Sequence, residues 1–583
     1  MSLLSDLSEF VGDVFEKEGI DRGLGQVKIS DRPDLAQFQC NGALAAAKQK
    51  KENPRAIAEK IKASLDQDDR FAKIELAGPG FINISLDDSY LANRLMQWSV
   101  QSAFDGVETG VREKVVMDYG GPNVAKPLHV GHLRAAIIGE SLKRLFRATG
   151  DEVIGDVHLG DWGLPMGQLI TELKKEQPDL PYFDAAFEGP YPEQAPVSLS
   201  DLERLYPQAS TACKADKERA AEARDATAAL QSGRPGYRAL WKHFVTVSKV
   251  AIEQEYADLG VTFDLWNGEA DADPYIKDMV DGFRAKGLTE KDDGAEIIHV
   301  TRDSDKKEIP PLILLKSDGS VLYGTTDLAT IVDRAKNIAP DRIIYVVDQR
   351  QALHFVQVYR AAGMGGLFEE DCLEHIGFGT INGKDGKPYK TRDGGALRLR
   401  LLIDQTIAKA QERMEAGGVA EGLGQDEKAE IARKVAIAAL KFADLSNPRT
   451  SDYIFDLDRF VAFEGKTGPY LLYAAVRVGA LLRKVDETGG AIVISNDEER
   501  QLALKLLAFE DAIRLAKEKR MPHFLCDHIY ETAQSFSRFY AVSRIADEAD
   551  SAIRKSRLTL VSVVREQLNS IFEILGFDAP ERM

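Results

Sequence analysis

Two histidines stand three residues apart in the stretch GPNVAKPLHVGHLR, residues 121–134, behind two prolines and an asparagine. The run KVVMDY before it reads as a strand, and the apolar residues after it recur at helical spacing as far as Gly150, a residue typical of helix ends. His129 and His132 are therefore predicted in a first helical turn, where free backbone N–H groups and the helix dipole attract an anion. Imidazoles can donate hydrogen bonds to phosphate oxygens, and Gly131 lets a flat ring approach the backbone. The stretch predicts a nucleotide site.

The histidine pair has two other interpretations. Histidines at this spacing also occur as a simple surface pair on an exposed helix face. Zinc-binding helices of metalloproteases use H-E-x-x-H, in which the histidines lie four residues apart beside a glutamate that is absent here. The pair alone therefore leaves the nucleotide site and the surface pair open.

The elements around this stretch indicate three domains. Residues 1–110 combine helical patterns with the strand–turn–strand run KIELAGPGFINISL, which predicts an α+β module. Residues 111–456 alternate helices with apolar runs, which predicts a doubly wound α/β domain with a parallel sheet and a helical insertion at about 171–255. Residues 457–583 read as an all-α domain. The strand-like runs of the second domain are KVVMDY, DEVIGDVHL, EIIHV, PLILLKSDGSVLY and DRIIYVVD.

Composition narrows the class of protein. A chain of 583 residues is too long to fold around a single hydrophobic core. Its composition, with 44% hydrophobic and 29% charged residues, is ordinary for a globular protein. We expect no membrane partner and a cytoplasmic location, because no apolar run approaches the roughly 20 residues of a membrane helix and the start lacks a signal-peptide layout. The four cysteines form no C-x-x-C pair, so neither a structural zinc nor a disulfide framework is expected. A net charge of −18 argues only weakly against nucleic acid, which needs a local basic surface.

The whole stretch PNVAKPLHVGHLR resembles the nucleotide-binding signature of class I aminoacyl-tRNA synthetases, in the form characteristic of arginyl-tRNA synthetases. His129 to His132 stand in the place of the H-I-G-H tetrapeptide. Further segments resemble that family in the expected order: VHLGDWGLPMGQLI, LGVTFDLWNGE, LYGTTDLATIVDR, YVVDQRQALHF, GKPYKTRDGG in the place of K-M-S-K-S, EGKTGPYLLYAAVR and the ending ILGFDAPERM. These matches cover most of the chain.

The resemblance implies an arginine pocket. A guanidinium is a planar fork of donors that keeps its charge, so a selective pocket needs carboxylates placed for paired hydrogen bonds. Resemblance puts Glu269 and Asp327 in that role, Tyr323 and Gln351 in neutral contacts, and Asn123 at the α-amino or carboxylate end of the substrate. From the residues alone, Asp327 is also interpreted as a helix N-cap and Glu269 as a solvated loop acid.

The resemblance also implies an ATP site at Gly131, His129, His132, Lys387 and Lys390. Aligning KPYKTR with the second signature puts Thr391 where its second lysine belongs. This departure leaves open which lysine meets the phosphates, and Lys126 of the first signature could supply the charge instead.

The activity implied by the resemblance is ATP-dependent ligation of L-arginine to tRNA(Arg). Arginyl-adenylate would form first, with Mg²⁺ accompanying ATP, and the 2′-OH of the terminal adenosine would then take the arginyl group. The resemblance further implies a monomer whose N-terminal module contacts the tRNA elbow, whose C-terminal domain binds the anticodon region, and whose arginine activation requires tRNA. Two alternatives are a class I synthetase for another amino acid and an inactive RNA-binding relative.

Overall fold

The computed structural model describes residues 2–32, 34–100, 103–104, 107, 110–387, 397–485 and 487–583. Contacts within the chain divide it into two compact units. Unit 1 consists of Met1–Val111, Lys409–Pro448 and Asp458–Met583, and unit 2 consists of Arg112–Ala408 and Arg449–Leu457. Within the described ranges, no helix combines the length and apolar character needed to cross a membrane.

The elements are numbered in chain order. The helices are α1 (Leu3–Lys17), α2 (Gly42–Lys50), α3 (Pro54–Leu65), α4 (Asp88–Ser99), α5 (Val130–Ala148), α6 (Leu164–Glu176), α7 (Leu199–Ala215), α8 (Lys217–Gln231), α9 (Pro235–Asp258), α10 (Glu269–Ala285), α11 (Tyr323–Asn337), α12 (Ala352–Gly365), α13 (Leu399–Ala416), α14 (Gln425–Leu445), α15 (Leu457–Phe460), α16 (Gly468–Lys484), α17 (Asp497–Leu507), α18 (Phe509–Lys519), α19 (His523–Val542) and α20 (Ser551–Leu575). The strands are β1 (Val27–Ile29), β2 (Phe38–Cys40), β3 (Phe71–Ala77), β4 (Phe81–Leu86), β5 (Lys114–Tyr119), β6 (Glu152–Asp156), β7 (Glu290–Asp292), β8 (Ala295–Ile298), β9 (Leu312–Leu315), β10 (Arg342–Val346), β11 (Leu373–His375), β12 (Ile381–Asn382) and β13 (Tyr453–Ile454).

Unit 1 joins the two ends of the chain. Its N-terminal part is an antiparallel sheet in the order β1-β2-β4-β3 with helices α1 to α4, which confirms the predicted α+β character and the β3–β4 hairpin. Its C-terminal part is helical through α16 to α20. The two parts pack together: the ring of Trp98 lies edge-on against Phe509 with centroids 5.6 Å apart, and Arg500 hydrogen-bonds Asp88 and the carbonyl of Leu86.

Unit 2 is built on a parallel sheet in the order β11-β10-β5-β6. The core of β5 is fully buried at Val115, Val116 and Met117, as expected for a parallel strand covered by helices on both faces. From β5 the chain passes through α5 to β6 on one side and later returns to β10 on the other. The order of the sheet therefore reverses between β5 and β10, and ligands of doubly wound folds bind at such a switch point.

Two of the runs predicted for the parallel sheet lie elsewhere. EIIHV and PLILL form β8 and β9 of a separate antiparallel sheet in the order β7-β8-β9. The physical reason is local: β7 and β8 are joined by Asp293 and Gly294, both with positive φ (46° and 83°), which favours a tight antiparallel hairpin. The short strand β11 takes the remaining place in the parallel sheet. The prediction of a doubly wound fold is confirmed. The assignment of EIIHV and PLILL to its parallel sheet is wrong.

Helices α7 to α9 fall in the segment for which a helical insertion is predicted. Each begins with a recognisable N-terminal signal, namely a Ser198 capping box, an Asp216 cap and Pro235 in the first turn. The indole N–H of Trp241 in α9 donates to the carbonyl of Asp161 at 2.8 Å. This bond fixes the insertion to the loop that follows β6.

Candidate active site

A cavity of about 410 Å³ opens at the carboxyl ends of β5 and β10, at the switch point of the parallel sheet. The starts of α5, α11 and α12 supply much of its wall. The lining residues are Asp118, Gly120, Gly121, Gly131, His132, Ala135, His158, Tyr323, Asp327, Tyr345, Val346, Val347, Asp348, Gln351, His354, Phe355 and Phe378. Five of the residues predicted to bind substrate are in this set, namely Gly131, His132, Tyr323, Asp327 and Gln351, whereas His129, Asn123 and Glu269 are not in it.

The two histidines of the opening stretch form the start of α5. His129 is the N-cap residue, and its Nδ1 accepts from the N–H of Gly131 at 3.0 Å. In return Nδ1 of His132 accepts from the N–H of His129 at 3.1 Å, which completes a capping box made of imidazoles. The rings lie with centroids 4.0 Å apart. The predicted position in the first helical turn is confirmed.

This arrangement determines which ring nitrogen of each imidazole carries the hydrogen. An Nδ1 that accepts a hydrogen bond carries no proton, so the neutral ring carries its proton on Nε2. Burial, assisted by the charge of Lys126, lowers the pKa of His129, and burial next to His129 lowers the pKa of His132 to about 3. Near neutral pH both rings are therefore uncharged Nε2–H donors.

Gly131 is required by the capping ring itself. A Cβ at this position would lie 2.7 Å from Cε1 and 2.9 Å from Nδ1 of His129, closer than real carbon atoms approach. The backbone of Gly131 also lines the cavity. Because Gly131 has no side chain, the ring of His129 can cap the helix, and no side chain projects from this position into the cavity.

The residues that follow the second signature segment, GKPYKTRDGG, pair through their backbone with the first signature, PNVAKPLHVGHLR. The N–H of Val130 donates to the carbonyl of Leu397, and the N–H of Leu399 donates to the carbonyl of Leu128, both at 2.9 Å. Lys387 is exposed and its N–H donates to Asp385. Lys390 lies outside the described residues.

The insertion helix α7 contacts both regions. The ring of Tyr206 lies 4.8 Å from the Lys126 ammonium, and Glu203, one turn earlier, pairs with Arg398 at 2.9 Å. Lys126 is half-buried near the histidines, although it does not belong to the described lining of the cavity.

Asp327 lies in the first half of α11, four residues after its first residue. The helix N-cap is Leu322, so the alternative interpretation of Asp327 as an N-cap is wrong. Its Oδ2 lies 2.5 Å from Nε2 of His354, which projects from α12. Both side chains are 26% exposed, at the cavity wall.

Glu269 is the first residue of α10 and is half-buried, so the alternative of a solvated loop acid is wrong. Burial raises the pKa of this carboxyl to about 8, and repulsion from Asp161 and Asp327 adds to the effect. Burial likewise raises the pKa of Asp161 to about 6. Asp161 and Asp327 both lie within electrostatic reach of Glu269, and such a group of acids favours binding of a cation.

The remaining predicted contact groups are Tyr323, Gln351 and Asn123. Tyr323 is 67% exposed, and Gln351 is exposed at the start of α12. Asn123 pairs with Gly160 in a parallel bridge and is outside the cavity lining described here. Among the residues that the structure describes, the side chains of Asn123, Glu269, Tyr323 and Gln351 have no hydrogen-bonding partner. Their polar atoms are available to a ligand.

A buried ion network lies at the ends of β5 and β6. The Arg334 guanidinium donates to Asp118 at 2.6 Å and to Asp156 at 2.7 Å, and its side chain is only 1% exposed. Burial opposes ionisation, yet Arg334 lowers the pKa of Asp156 below its usual value. Ligand atoms of Asp118, Asp156 and His158 lie within 4.8 Å of one another, a spacing that a metal ion could use. Because the guanidinium already occupies both carboxylates, this group fits an internal ion pair better than a metal.

Several cavity residues were missed by the sequence analysis. Asp118, Tyr345 and Asp348 lie at the ends of predicted strands, where the switch-point rule could have found them. His158 and His354 lie in segments that resemble the family but received no role. His158 also has a left-handed backbone, with φ of 38°, beside the cavity.

Chemically, the arrangement offers two neutral N–H donors at a helix start, a neighbouring lysine, and a group of acids within one region of unit 2. The first set suits phosphate oxygens and the second suits an organic cation. A reaction between a nucleotide and a cationic substrate needs both.

Comparison with known proteins gives matches along the chain. The family model "Arginyl tRNA synthetase N terminal domain" matches residues 3–86, "tRNA synthetases class I (R), catalytic domain" matches 94–457, and "DALR anticodon binding domain" matches 471–583. The chain is 53% identical over 588 residues to an arginine–tRNA ligase of Hyphomonas neptunium and 50% identical over 586 residues to one of Maricaulis maris, with 100% of each chain covered.

Solved structures give the same fold. An arginyl-tRNA synthetase from Plasmodium falciparum superimposes with a TM-score of 0.82 at 23% identity, covering 100% of this chain and 99% of the other. One from Thermus thermophilus superimposes with a TM-score of 0.78 at 21% identity, covering 100% of both.

Proposed function

Because the chain belongs to the arginyl-tRNA synthetase family and is an arginine–tRNA ligase, we propose that arginine and ATP meet at the switch-point cavity of unit 2. The observation that carries this proposal is the pairing pattern of the acids. Glu269 has no protein partner among the described residues, and Asp327 uses only Oδ2, toward His354. Two carboxylates with free oxygens on neighbouring helices match the two sides of a guanidinium fork.

In this proposal Glu269 and Asp327 bind the guanidinium, while Tyr323 and Gln351 supply neutral contacts and Asn123 holds the α-amino or carboxylate end. A site that pairs every donor of a guanidinium rejects substrates without it by roughly 10⁴- to 10⁵-fold. Lysine and citrulline are then refused at binding, and no separate editing domain is needed.

ATP is the second substrate, with Mg²⁺ held mainly by its phosphates. The Nε2–H groups of His129 and His132 and the backbone of Gly131 receive it, and Lys126, Lys387 and Lys390 are the candidate cations for the phosphates. Attack of the arginine carboxylate on the α-phosphorus forms arginyl-adenylate and releases pyrophosphate. The protein's contribution is positioning and charge stabilisation.

The 2′-OH of the terminal adenosine of tRNA(Arg) then takes the arginyl group and releases AMP. Residues 1–110 are proposed to contact the tRNA elbow and residues 457–583 the anticodon region, with residues 111–456 as the catalytic domain. The matches to an N-terminal and an anticodon-binding family model support these roles. The proposed enzyme acts as a monomer in the cytoplasm.

Arginine-dependent ATP–pyrophosphate exchange, with and without tRNA, tests the site. Asp327→Asn should raise the KM for arginine by about 10- to 100-fold, because a charge-assisted hydrogen bond of about 1.5–3 kcal/mol is lost, and should leave the KM for ATP nearly unchanged. Asp333→Asn, on the same helix α11 but away from the cavity, is the matched control. Equal effects of Asp327→Asn on both KM values would remove Asp327 from the arginine pocket.

A further inference from the structure

His354 contacts Asp327, one of the two acids of the candidate arginine pocket. Its Nε2 lies 2.5 Å from Oδ2 of Asp327, and both side chains line the cavity. The ring stands edge-on to Phe355, with centroids 5.4 Å apart. Phe355 in turn stacks on His375 of β11, so the aromatic group behind His354 is anchored to the parallel sheet.

The direction of this hydrogen bond follows from its partner. An ionised carboxylate only accepts, so Nε2 of His354 must carry the hydrogen. The bond occupies one oxygen of Asp327 and leaves Oδ1 to the substrate. The terminal torsion of an aspartate is broad, and an unheld carboxylate would turn its oxygens away from the fork geometry that a guanidinium needs.

In the part of the chain that the structure describes, the other groups near Asp327 give its carboxylate no hydrogen bond. Glu269 of α10 and Tyr323 at the start of α11 lie within electrostatic reach of Asp327, but neither hydrogen-bonds its side chain. Among the described residues, His354 is the sole hydrogen-bond donor to the Asp327 side chain. Without this bond, no described side chain fixes the terminal torsion of the Asp327 carboxylate.

We propose that His354 is a positioning residue for arginine selection, because it orients the Asp327 carboxylate so that the second oxygen faces the guanidinium. This inference rests on the proposed function of Asp327. His354 itself touches neither ATP nor the reacting carboxylate in this scheme, so its loss should appear in the KM for arginine rather than in kcat.

The experiment compares His354→Leu with His354→Gln in the full-length enzyme. His354→Leu removes the donor and should raise the KM for arginine by on the order of 10-fold or more, with kcat and the KM for ATP within about 2-fold of wild type. His354→Gln keeps an N–H near the position of Nε2 and should recover most of that loss. The ratio of kcat/KM for arginine over lysine should fall in His354→Leu and recover in His354→Gln.

A matched control is His299→Leu, which breaks an exposed histidine–glutamate contact of 3.0 Å with Glu290 elsewhere in unit 2 and should change none of these values. Thermal unfolding of each variant identifies a folding defect, and if His354→Leu does not fold, His354→Asn, whose shorter amide does not reach the position of Nε2, replaces it in the comparison with His354→Gln. An unchanged KM for arginine in His354→Leu overturns the inference, and so does an equal rise of both KM values without recovery in His354→Gln.

A double-mutant cycle separates this inference from the proposed function. In an Asp327→Asn background, His354→Leu should add little to the KM for arginine, because both changes remove the same interaction. If Asp327→Asn alone leaves the KM for arginine unchanged, the proposed role of Asp327 is wrong. If Asp327→Asn acts as expected but the two effects simply multiply, the positioning role of His354 is wrong.

Discussion

Arginine binding should release a proton from Glu269. Burial and the neighbouring acids raise the pKa of this carboxyl from 4.5 to about 8, so it is protonated and neutral in the free enzyme below that pH. A guanidinium pairs with the ionised form, because the charged pair is stronger than a neutral contact. Ionisation is therefore coupled to binding, and higher pH favours arginine.

The size of the proton release and of the change in affinity follows from the pKa of Glu269. At pH 7 a carboxyl with a pKa of about 8 is roughly 90% protonated, so binding should release about 0.9 proton and cost about 1.4 kcal/mol for deprotonation. Between pH 7 and pH 9 that cost disappears, and the affinity for arginine should tighten by about 10-fold. Below pH 7 the affinity should fall about 10-fold for each unit.

Isothermal titration calorimetry in buffers of different ionisation enthalpy measures the proton release. The decisive quantity is the difference between wild type and Glu269→Gln, since titration of arginine itself is common to both. Glu269→Gln should bind arginine more weakly at pH 8.5 and should lose the extra proton release. Glu290→Gln, which changes an exposed glutamate in the same unit, should behave as wild type. Equal proton release in wild type and Glu269→Gln would refute the reasoning.

Two further predictions concern charge. Lys126→Ala should lower the rate of arginine-dependent pyrophosphate exchange by about 10-fold or more, because a cation is removed from beside the helix start that is proposed to receive the phosphates; near-normal exchange would exclude Lys126. Arg334→Met should lower the free energy of unfolding by about 3–5 kcal/mol, because Asp118 and Asp156 remain as buried unpaired charges. Denaturant unfolding measures this loss, and a change below about 1 kcal/mol would contradict it.

The local part of the site was predictable from sequence. The strand β5, the loop after it and the helix start at His129 follow from apolar periodicity and from the position of the histidines, and the structure places them as expected. Asp327 and Glu269 could be proposed only through resemblance, since a single acid in a helical pattern has no distinctive spacing. Their half-buried surroundings come from packing between α10 and α11, which periodicity does not describe.

The contacts between residues that are distant in sequence were not predictable in the same way. An apolar run such as EIIHV indicates a strand but not its partner, so β8 was wrongly assigned to the parallel sheet. Arg334 reads as an ordinary helical arginine, yet it is buried because two aspartates from separate strands meet it. The contact of His354 with Asp327 spans 27 residues and two helices. Each of these features depends on which elements the fold brings together.

The joining of the two chain ends in unit 1 has a consequence for biosynthesis. Arg500 contacts Asp88 across 412 residues, and a ribosome adding about 5–20 residues per second needs on the order of 20–80 s to make that stretch. During this time the nascent N-terminal module has no α17 or α18 to cover Trp98. The first part of the protein to leave the exit tunnel is thus among the last to reach its final packing. A chain whose synthesis stops before Phe509 cannot complete the packing around Trp98.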